Sequence, residues 1–316
     1  DKNFKLVELN QVRFNYIDQE NQINKFKIIN NKKNYELNGD HLNANYLLES
    51  LSSSDNEEKL SIFKKKISLN IKINNIRLDE EYSIRNLKGN LVLLNDNILD
   101  GYLEAFFSDK EKLKFSVVSK NDEKITTFFS DKAKPFVKKY KFIKGFSDGT
   151  LDFYSIKKDN KTDSYLKIYD FKLKEVPALT KLLTLASLQG IADLLSGEGI
   201  RFNEFEMKFL NEPSLMTVNE IYAIGPAISI LMDGYIEKNK LVSLRGTLVP
   251  ATTINKVIGS IPILGQILVG SKTGEGVFGV SFKIKGSPKK LETTVNPIKT
   301  LTPRFITRTL EKIKKN

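Results

Sequence analysis

The sequence predicts a mainly β protein, a long curved antiparallel sheet shaped like a groove. A few short helices are expected to cap its open side and its C-terminal end. Apolar residues recur at every second position in many short segments, and Gly, Asn and Asp separate these segments. The clearest case is Ile67, Leu69, Ile71 and Ile73, which alternate with polar residues. Such a strand has one apolar face, so the sheet must either cover that face with another layer or curl around apolar material.

The composition excludes several kinds of functional site. The chain of 316 residues has no cysteine and one histidine, His41. Disulfides, thiol catalysis, cysteine zinc sites and paired-histidine metal sites are therefore ruled out. Gly274 to Gly279 matches the G-x-G-x-x-G pattern, but the residues that follow alternate as a strand, whereas a dinucleotide site needs a helix there. We expect a protein that is not an enzyme and that binds neither a metal nor a cofactor.

The first half of the chain predicts strands with two helical interruptions. Weak alternation over residues 1–38 indicates short strands, and Asn38-Gly39-Asp40 is typical of a turn followed by a helix over residues 41–50. Asp100-Gly101, Asp148-Gly149 and Asp159-Asn160 are expected at turns or strand ends, as is Lys120-Asn121-Asp122, and Asn74-Asn75 at a turn or bulge. A short helix is expected near Pro135. Further strands are predicted near residues 82–94, 98–107, 112–119, 123–129, 150–157 and 163–174.

Composition changes near residue 175, which predicts a β-rich region over residues 1–175 and a second region over residues 176–316. Pro177 suits the first turn of a helix. Apolar residues at helical spacing continue, interrupted by Gly190, until Gly197. Two interpretations are open: a helix packed on the sheet, or an element that closes an apolar cavity.

Four strands in the second region alternate strongly, and each has one apolar face. Their opposite faces carry polar, charged or small residues, so we expect one dry and one wet face. A curled sheet could hold apolar material on the dry face. The residues predicted to line this groove are Phe205, Met207, Phe209, Ile228, Ile230, Met232, Val242, Leu244, Phe278, Val280, Phe282 and Ile284.

The C-terminal end combines positive charge with apolar residues. Of the net charge of +12, residues 281–316 carry ten Lys or Arg against two Glu. Thr302 and Pro303 predict the start of an amphipathic helix of the kind that lies on a membrane surface, although docking on the protein's own sheet is an alternative. Few aromatic residues accompany these charges, so nucleic acid is not expected. The predicted membrane-contact residues are Ile261, Ile263, Leu264, Ile267, Leu268, Phe305, Ile306, Leu310, Ile313, Arg304, Arg308 and Lys312.

Several segments resemble the C-terminal region of the AsmA-like family, closest to its large YhdP-type members. The segments are GTLVPATTIN (246–255), IPILGQIL (261–268), GEGVFGVSFKIKG (274–286) and TVNPIKTLTPRFI (294–306), of which the last is the most specific. GDHLNANYLLESL (39–51) is similar to an upstream part of these proteins. The likeness covers the last 140 residues well and the first half loosely.

This resemblance implies a function in the envelope of Gram-negative bacteria. Family members are anchored in the inner membrane by an N-terminal helix and cross the periplasm as a curled sheet with an apolar groove. They are thought to carry phospholipid toward the outer membrane. The resemblance therefore implies a periplasmic module, tethered by a helix absent from this chain, with phospholipid, a membrane surface and envelope proteins as partners. It also assigns the predicted groove residues to lipid. A structural or assembly factor of the outer membrane, with an ordinary packed core, is the alternative.

Overall fold

The protein is mainly β, with about 71% of the residues that the structure describes in strands and 8% in helices. The computed structural model describes residues 10–32, 34–45, 66–95, 97–138, 145–174, 176–186, 188–250, 279–288 and 290–298. These residues form sixteen strands and three short helices. The predicted fold class, an open curved sheet with few short helices, is confirmed.

The chain divides into two compact units. The first comprises residues 1–141 and 149–159, and the second residues 142–148 and 160–316. This division follows spatial contacts and falls earlier in the chain than residue 175. The boundary at 175/176 was inferred from composition, and it stays a prediction.

In the first unit, neighbouring strands of the sheet are consecutive in the sequence. All described pairs are antiparallel except β3 with β4, which is parallel, so the expected antiparallel meander is wrong at this pair. The chain crosses between these two strands through residues 44–66, and a crossover of this length is what a parallel pair requires. The strands are β1 (Gln11–Ile17), β2 (Ile23–Asn31), β3 (Asn34–Asn43), β4 (Ile67–Arg77), β5 (Ser83–Leu94), β6 (Asn97–Phe106), β7 (Lys112–Lys120), β8 (Glu123–Ser130) and β9 (Ser147–Lys158).

Two turns predicted in this unit lie inside strands. Asn38-Gly39-Asp40 belongs to β3, which continues through His41, so the helix predicted from residue 41 is wrong over residues 41–43. Residues 46–50 of that helix lie outside the described residues. Pairing with β2 on one side and β4 on the other satisfies the backbone here, and this outweighs the local turn preference. The register with β2 shifts between Lys25 and Phe26, which accommodates the turn-forming residues as a bulge.

The other misplaced turn is Asp100-Gly101, which lies within β6. Gly101 has φ of +141°, and a Cβ atom there would lie 2.1 Å from the carbonyl oxygen of Asn90 on the neighbouring strand. Glycine is therefore required by close approach of two strands rather than by a chain reversal. Asp148 and Gly149 lie at the start of β9, close to the strand end predicted there, with φ of 64° and 84°.

A turn or bulge is expected at Asn74-Asn75, but β4 continues through both residues and its register with β3 and β5 does not shift there. The buried positions change parity there, from Ile73 to Ile76, while pairing with β5 continues. In β5 the matching change occurs at Asn86, whose φ of 55° is left-handed. The apolar face thus stays continuous although each strand breaks its alternation.

The core of the first unit lies on one face of its sheet. Helix α1 (Lys134–Val137) begins next to Pro135, as predicted, and its Phe136 ring meets the ring of Phe128 edge-on at 4.7 Å. One cluster of buried apolar residues in this unit comes from β4 to β7 and the β4–β5 turn. Its members are Ile67, Ile71, Ile73, Ile76, Leu78, Ile84, Leu91, Leu93, Ala105 and Leu113.

The second unit is also built from strands that pair in chain order, all antiparallel. The sequence indicated strands at β10, β11 and β13 to β15 but missed β12 and β16. β12 contains four consecutive buried residues, 220–223, and therefore lacks the alternation that reveals a half-buried strand. The strands are β10 (Lys161–Leu173), β11 (Ile200–Asn211), β12 (Leu215–Ile224), β13 (Ile228–Glu237), β14 (Leu241–Pro250), β15 (Gly279–Ser287) and β16 (Lys290–Ile298).

Two helices connect β10 to β11. Helix α2 (Pro177–Leu185) begins at the predicted proline, and helix α3 (Gln189–Ser196) contains Gly190, so the break in helical spacing falls before Gln189. Helix α2 packs against β16, and α3 packs against α2 and β11. Leu182, Leu183 and Leu195 are at most 2% exposed. The helices are therefore packed onto this unit, as the first of the two interpretations expected.

Candidate functional site

The residues of the predicted lipid groove that the structure describes share one face of the second unit, and we call this face the apolar face. The strand register places them in rows that run across the sheet, so a row consists of residues directly opposite one another. The first row is Ile168, Phe205, Ala223, Ile230, Leu248 and Val280. The second is Leu166, Met207, Ile221, Met232, Gly246, Phe282 and Val295. The third is Phe209, Val218, Gly234, Leu244 and Ile284.

Burial falls along β13, β14 and β15 of the apolar face, whereas on β12 Ala223, Ile221 and Val218 stay buried in all three rows. At the end where helices α2 and α3 connect β10 and β11, Ile228 and Leu248 are fully buried and Val280 is 5% exposed. In the second row Met207 and Met232 are half-buried, although Phe282 is only 3% exposed. Phe209, Leu244 and Ile284 in the third row are half-buried, as is Val242 beyond them. The apolar face is thus a packed core at the helix end and a partly accessible apolar surface further along.

Aromatic rings add to the packing at the helix end. Phe146, Phe171 and Phe202 form a stack with centroid distances of 5.3 and 5.4 Å, and Phe205 meets Phe171 edge-on. Phe171 is opposite Phe202 on the neighbouring strand, close to where the chain enters and leaves the helices. These rings hold the ends of β10 and β11 together.

The opposite face of the second unit is not wet throughout, so that prediction is wrong at the helix end. Tyr222 and Val249 are fully buried there, and Leu231 is 7% exposed. Polar residues on the same face are buried with them, including Glu206 and Glu220. Further along the strands the face becomes exposed at Arg245, Lys283 and Lys285, as expected.

Ion pairs and tyrosines stabilise the charged residues on this buried part. Nζ of Lys167 lies 3.2 Å from Oε1 of Glu206, and Nζ of Lys208 lies 3.9 Å from Oε1 of Glu220. Both ammonium groups lie over the ring of Tyr165, at 5.1 and 5.6 Å from its centroid. Burial, together with the hydrogen bond to Glu206, raises the pKa of Tyr165 to about 12. Sequence reasoning missed this cluster because charged residues usually indicate exposure; the nearby tyrosines are the signal that could have revealed it.

Part of the prediction lies outside the described residues. Phe278 and the membrane-contact residues on segments 261–268 and 304–313 belong to this part. None of the helices in the described ranges is long and apolar enough to cross a membrane.

Comparison with protein-family models, curated proteins and solved structures finds no match to this chain. The likeness to the AsmA-like family therefore continues to depend on the sequence segments alone. The function of the apolar face is therefore inferred from the chain's own residues.

Proposed function

We propose that this chain is a lipid-binding and lipid-transport module whose partly accessible apolar surface holds acyl chains. The observation that carries the proposal is the partial exposure of the second and third rows on β11, β13 and β14. Leu248 is fully buried in the first row, whereas Met207, Met232 and Leu244 in the next rows are half-buried. Half-buried apolar side chains in adjoining rows give an extended apolar surface, and such surfaces are typical of binding sites.

The proposed mechanism requires no catalytic residue. An acyl chain lies against the second and third rows, where methionine side chains adapt to its shape. Its headgroup stays in water. Each buried methylene contributes about 0.8 kcal/mol, so several contacts retain a chain reversibly rather than permanently. The packed first row and the helices keep the strands in place while lipid binds and leaves.

The cellular setting is part of the same proposal. In line with the AsmA-like segments, we propose that the chain acts in the periplasm of a Gram-negative envelope, tethered to the inner membrane. Its cargo is phospholipid moving between the inner and outer membranes, and its role is in biogenesis of the outer membrane. The exposed Lys283 and Lys285 on the opposite face agree with an anionic membrane nearby.

One observation favours the alternative, a structural or assembly factor without lipid cargo. At the helix end both faces are buried, as Leu248 and Val249 are each fully buried on adjacent positions of β14. A protein that was packed in this way along its whole length would have no surface left for lipid. The two functions therefore differ in whether the half-buried rows take up lipid.

Native mass spectrometry of the purified chain, followed by lipid extraction, tests the proposal. The expected result is co-purifying phospholipid, and its loss in the triple variant Met207→Gln, Met232→Gln, Leu244→Gln. A matched control replaces the exposed apolar residues Ile17, Ile23 and Val118 with Gln and should keep its lipid. A lipid-free wild-type chain, or equal lipid in both variants with unchanged circular dichroism, would favour the structural alternative.

A further inference from the structure

The face of the first unit that lies opposite its core carries a row of cationic residues across the strands. Arg13 on β1 is opposite Lys27 on β2, and Lys72 on β4 is opposite Lys88 on β5. Asn38 on β3 connects the two pairs, because it is opposite both Lys27 and Lys72. Glu104 on β6 and Lys114 on β7 continue the same row. We call Arg13, Lys27, Lys72, Lys88 and Lys114 the cationic row.

Charge within this row is only partly balanced. Oxygens of Glu104 lie 3.9 Å from Nζ of Lys88 and 4.0 Å from Nζ of Lys114, so one carboxylate is shared by two lysines. Asp152 on β9 ends the row, beyond Phe129. Like charges directly opposite each other, as at Lys72 and Lys88, are unfavourable, and an anion bound over them would relieve the repulsion.

The nearest other carboxylates on this face are already engaged. Asp40 forms an ion pair of 2.8 Å with Lys25, which lies beside the row. Glu36 accepts hydrogen bonds from the amides of Asn31 and Asn38. Arg13, Lys72, Lys88 and Lys114 are exposed and Lys27 is half-buried, so the row is open to solvent.

A second row, two residues further along the strands, is uncharged from β4 to β9 and rich in hydrogen-bonding groups; on β3 it ends at Glu36, opposite Asn70. Its amides are Asn70 and Asn90, which are hydrogen-bonded at 2.8 Å. Its hydroxyls are Ser116 and Thr127, which lie 2.6 Å apart. Tyrosines flank the hydroxyls: Tyr102 is 59% and Tyr154 40% exposed. The register runs from Asn70 to Asn90, Tyr102, Ser116, Thr127 and Tyr154.

We propose that these two rows bind a linear acidic polysaccharide that lies across the strands. Its carboxylates pair with the cationic row, where neighbouring positions are separated by the strand spacing of about 4.8 Å. Sugar hydroxyls exchange hydrogen bonds with the amides and hydroxyls of the second row. The apolar faces of sugar rings stack on Tyr102 and Tyr154, since exposed aromatic rings combine an apolar surface with a polar end.

The arrangement favours a polysaccharide over a single-stranded nucleic acid. Tyr102 and Tyr154 are three strands apart, with Ser116 and Thr127 between them. Successive bases of a nucleic acid would need aromatic rings at successive positions, and small hydroxyl side chains cannot take that role. Hydroxyl and amide groups between the rings match the many hydroxyls of a sugar chain.

Binding of fluorescent polygalacturonate to the full chain, measured by anisotropy at low salt, tests this proposal. The triple variant Arg13→Gln, Lys27→Gln, Lys72→Gln should weaken binding about tenfold, as expected for the loss of three solvent-accessible positive charges. A control with the same change in net charge replaces the exposed Lys110, Lys120 and Lys157 with Gln, and its affinity should match the wild type. Tyr102→Ala should also weaken binding, and added salt should weaken the wild type more than the triple variant.

Three outcomes would overturn the proposal. If neutral dextran bound with the same affinity as polygalacturonate, the carboxylates of the polysaccharide would not contribute to binding. An equal loss in the control variant would show that only net charge matters. Tighter, row-dependent binding of a single-stranded oligonucleotide, or of vesicles containing phosphatidylglycerol, would assign the cationic row to a different partner. Because lipid on the apolar face is measured separately, failure here leaves the proposed lipid binding unaffected.

Discussion

Nζ of Lys167 lies 3.2 Å from Oε1 of Glu206, a carboxylate whose side chain is only 4% exposed. The two residues are directly opposite each other on β10 and β11. The pair lies on the face that the sequence indicates to be wet, and Lys167 also contacts the rings of Tyr165 and Tyr169. Because this ion pair is largely removed from water, loss of either charge would leave the other one buried without a counter-charge.

Removing one member of this pair should destabilise the protein. Lys167→Ala leaves Glu206 buried without its cation, and we expect the free energy of unfolding to fall by about 3 kcal/mol. The matched control is Lys158→Ala, because Lys158 and Glu123 form an exposed pair at 3.5 Å that should contribute less than about 1 kcal/mol. Urea unfolding followed by circular dichroism measures both. Equal decreases in the free energy of unfolding would mean that burial of Glu206 does not make its ion pair more important for stability than the exposed pair.

Stability should decrease between about pH 10 and pH 12 because of Tyr165. Burial raises the pKa of Tyr165 to about 12 in the folded protein, whereas a tyrosine in the unfolded chain titrates near its ordinary value of 10. In this window the unfolded state has lost a proton that the folded state keeps, so stability falls as pH rises. Thermal unfolding from pH 9 to 12 measures the effect. Tyr165→Phe should show a shallower decrease, and an unchanged slope would contradict the assignment.

Substitution of Gly101 should be costly although the residue lies in a strand. A Cβ atom would meet the carbonyl oxygen of Asn90 at 2.1 Å, and φ of +141° is unfavourable for other residues. Gly101→Ala should lower the free energy of unfolding by about 1–3 kcal/mol. Gly197→Ala is the control, since Gly197 has φ of −92° and the nearest atom would be 3.2 Å away. A comparable loss in the control would refute the argument from close approach.

Two leucines of β14 should report the decrease of burial along the apolar face. Leu248 is fully buried, and Leu248→Ala should lower the free energy of unfolding by about 3 kcal/mol through the cavity it leaves. Leu244 is half-buried in the third row, so Leu244→Ala should have a clearly smaller effect. Chemical denaturation of both variants in lipid-free protein makes the comparison. Similar losses would indicate that the third row is packed like the first.

The sequence predicts the strands that have one buried face. Ile67, Leu69, Ile71 and Ile73 show their alternation because polar residues between them face water. The strand Leu215–Ile224 shows no such signal, since both of its faces are buried over residues 220–223. Local turn chemistry also misled at Asn38-Gly39-Asp40, where pairing with strands on both sides determines the conformation. Local sequence patterns thus predict a strand when one of its faces is buried and the other is in water.

The candidate site was predictable to the same extent. Period-two spacing identified which residues share the apolar face, because alternate residues of a strand point to the same side of the sheet. The strand register then determines only which of these residues lie opposite one another. Spacing could not predict that Leu248 is buried and Leu244 half-buried, since this depends on where helices α2 and α3 pack. The cationic row was also hidden, because Arg13, Lys27 and Lys72 are far apart in the sequence and meet only through strand pairing.

The parallel pairing of β3 with β4 has a consequence for folding kinetics. In a hairpin such as β7–β8 the residues nearest the turn, Lys120 and Glu123, meet first. Each later pair then forms next to a pair that is already in contact, so little additional chain entropy is lost. Along β3 and β4 no such starting point exists, because Asn34 pairs with Ser68 and Asn43 with Arg77, the same distance apart along the chain at both ends. Every contact of this pair requires the whole crossover to close. Among the pairings of the first unit, this one should therefore form late and set the rate at which its core assembles.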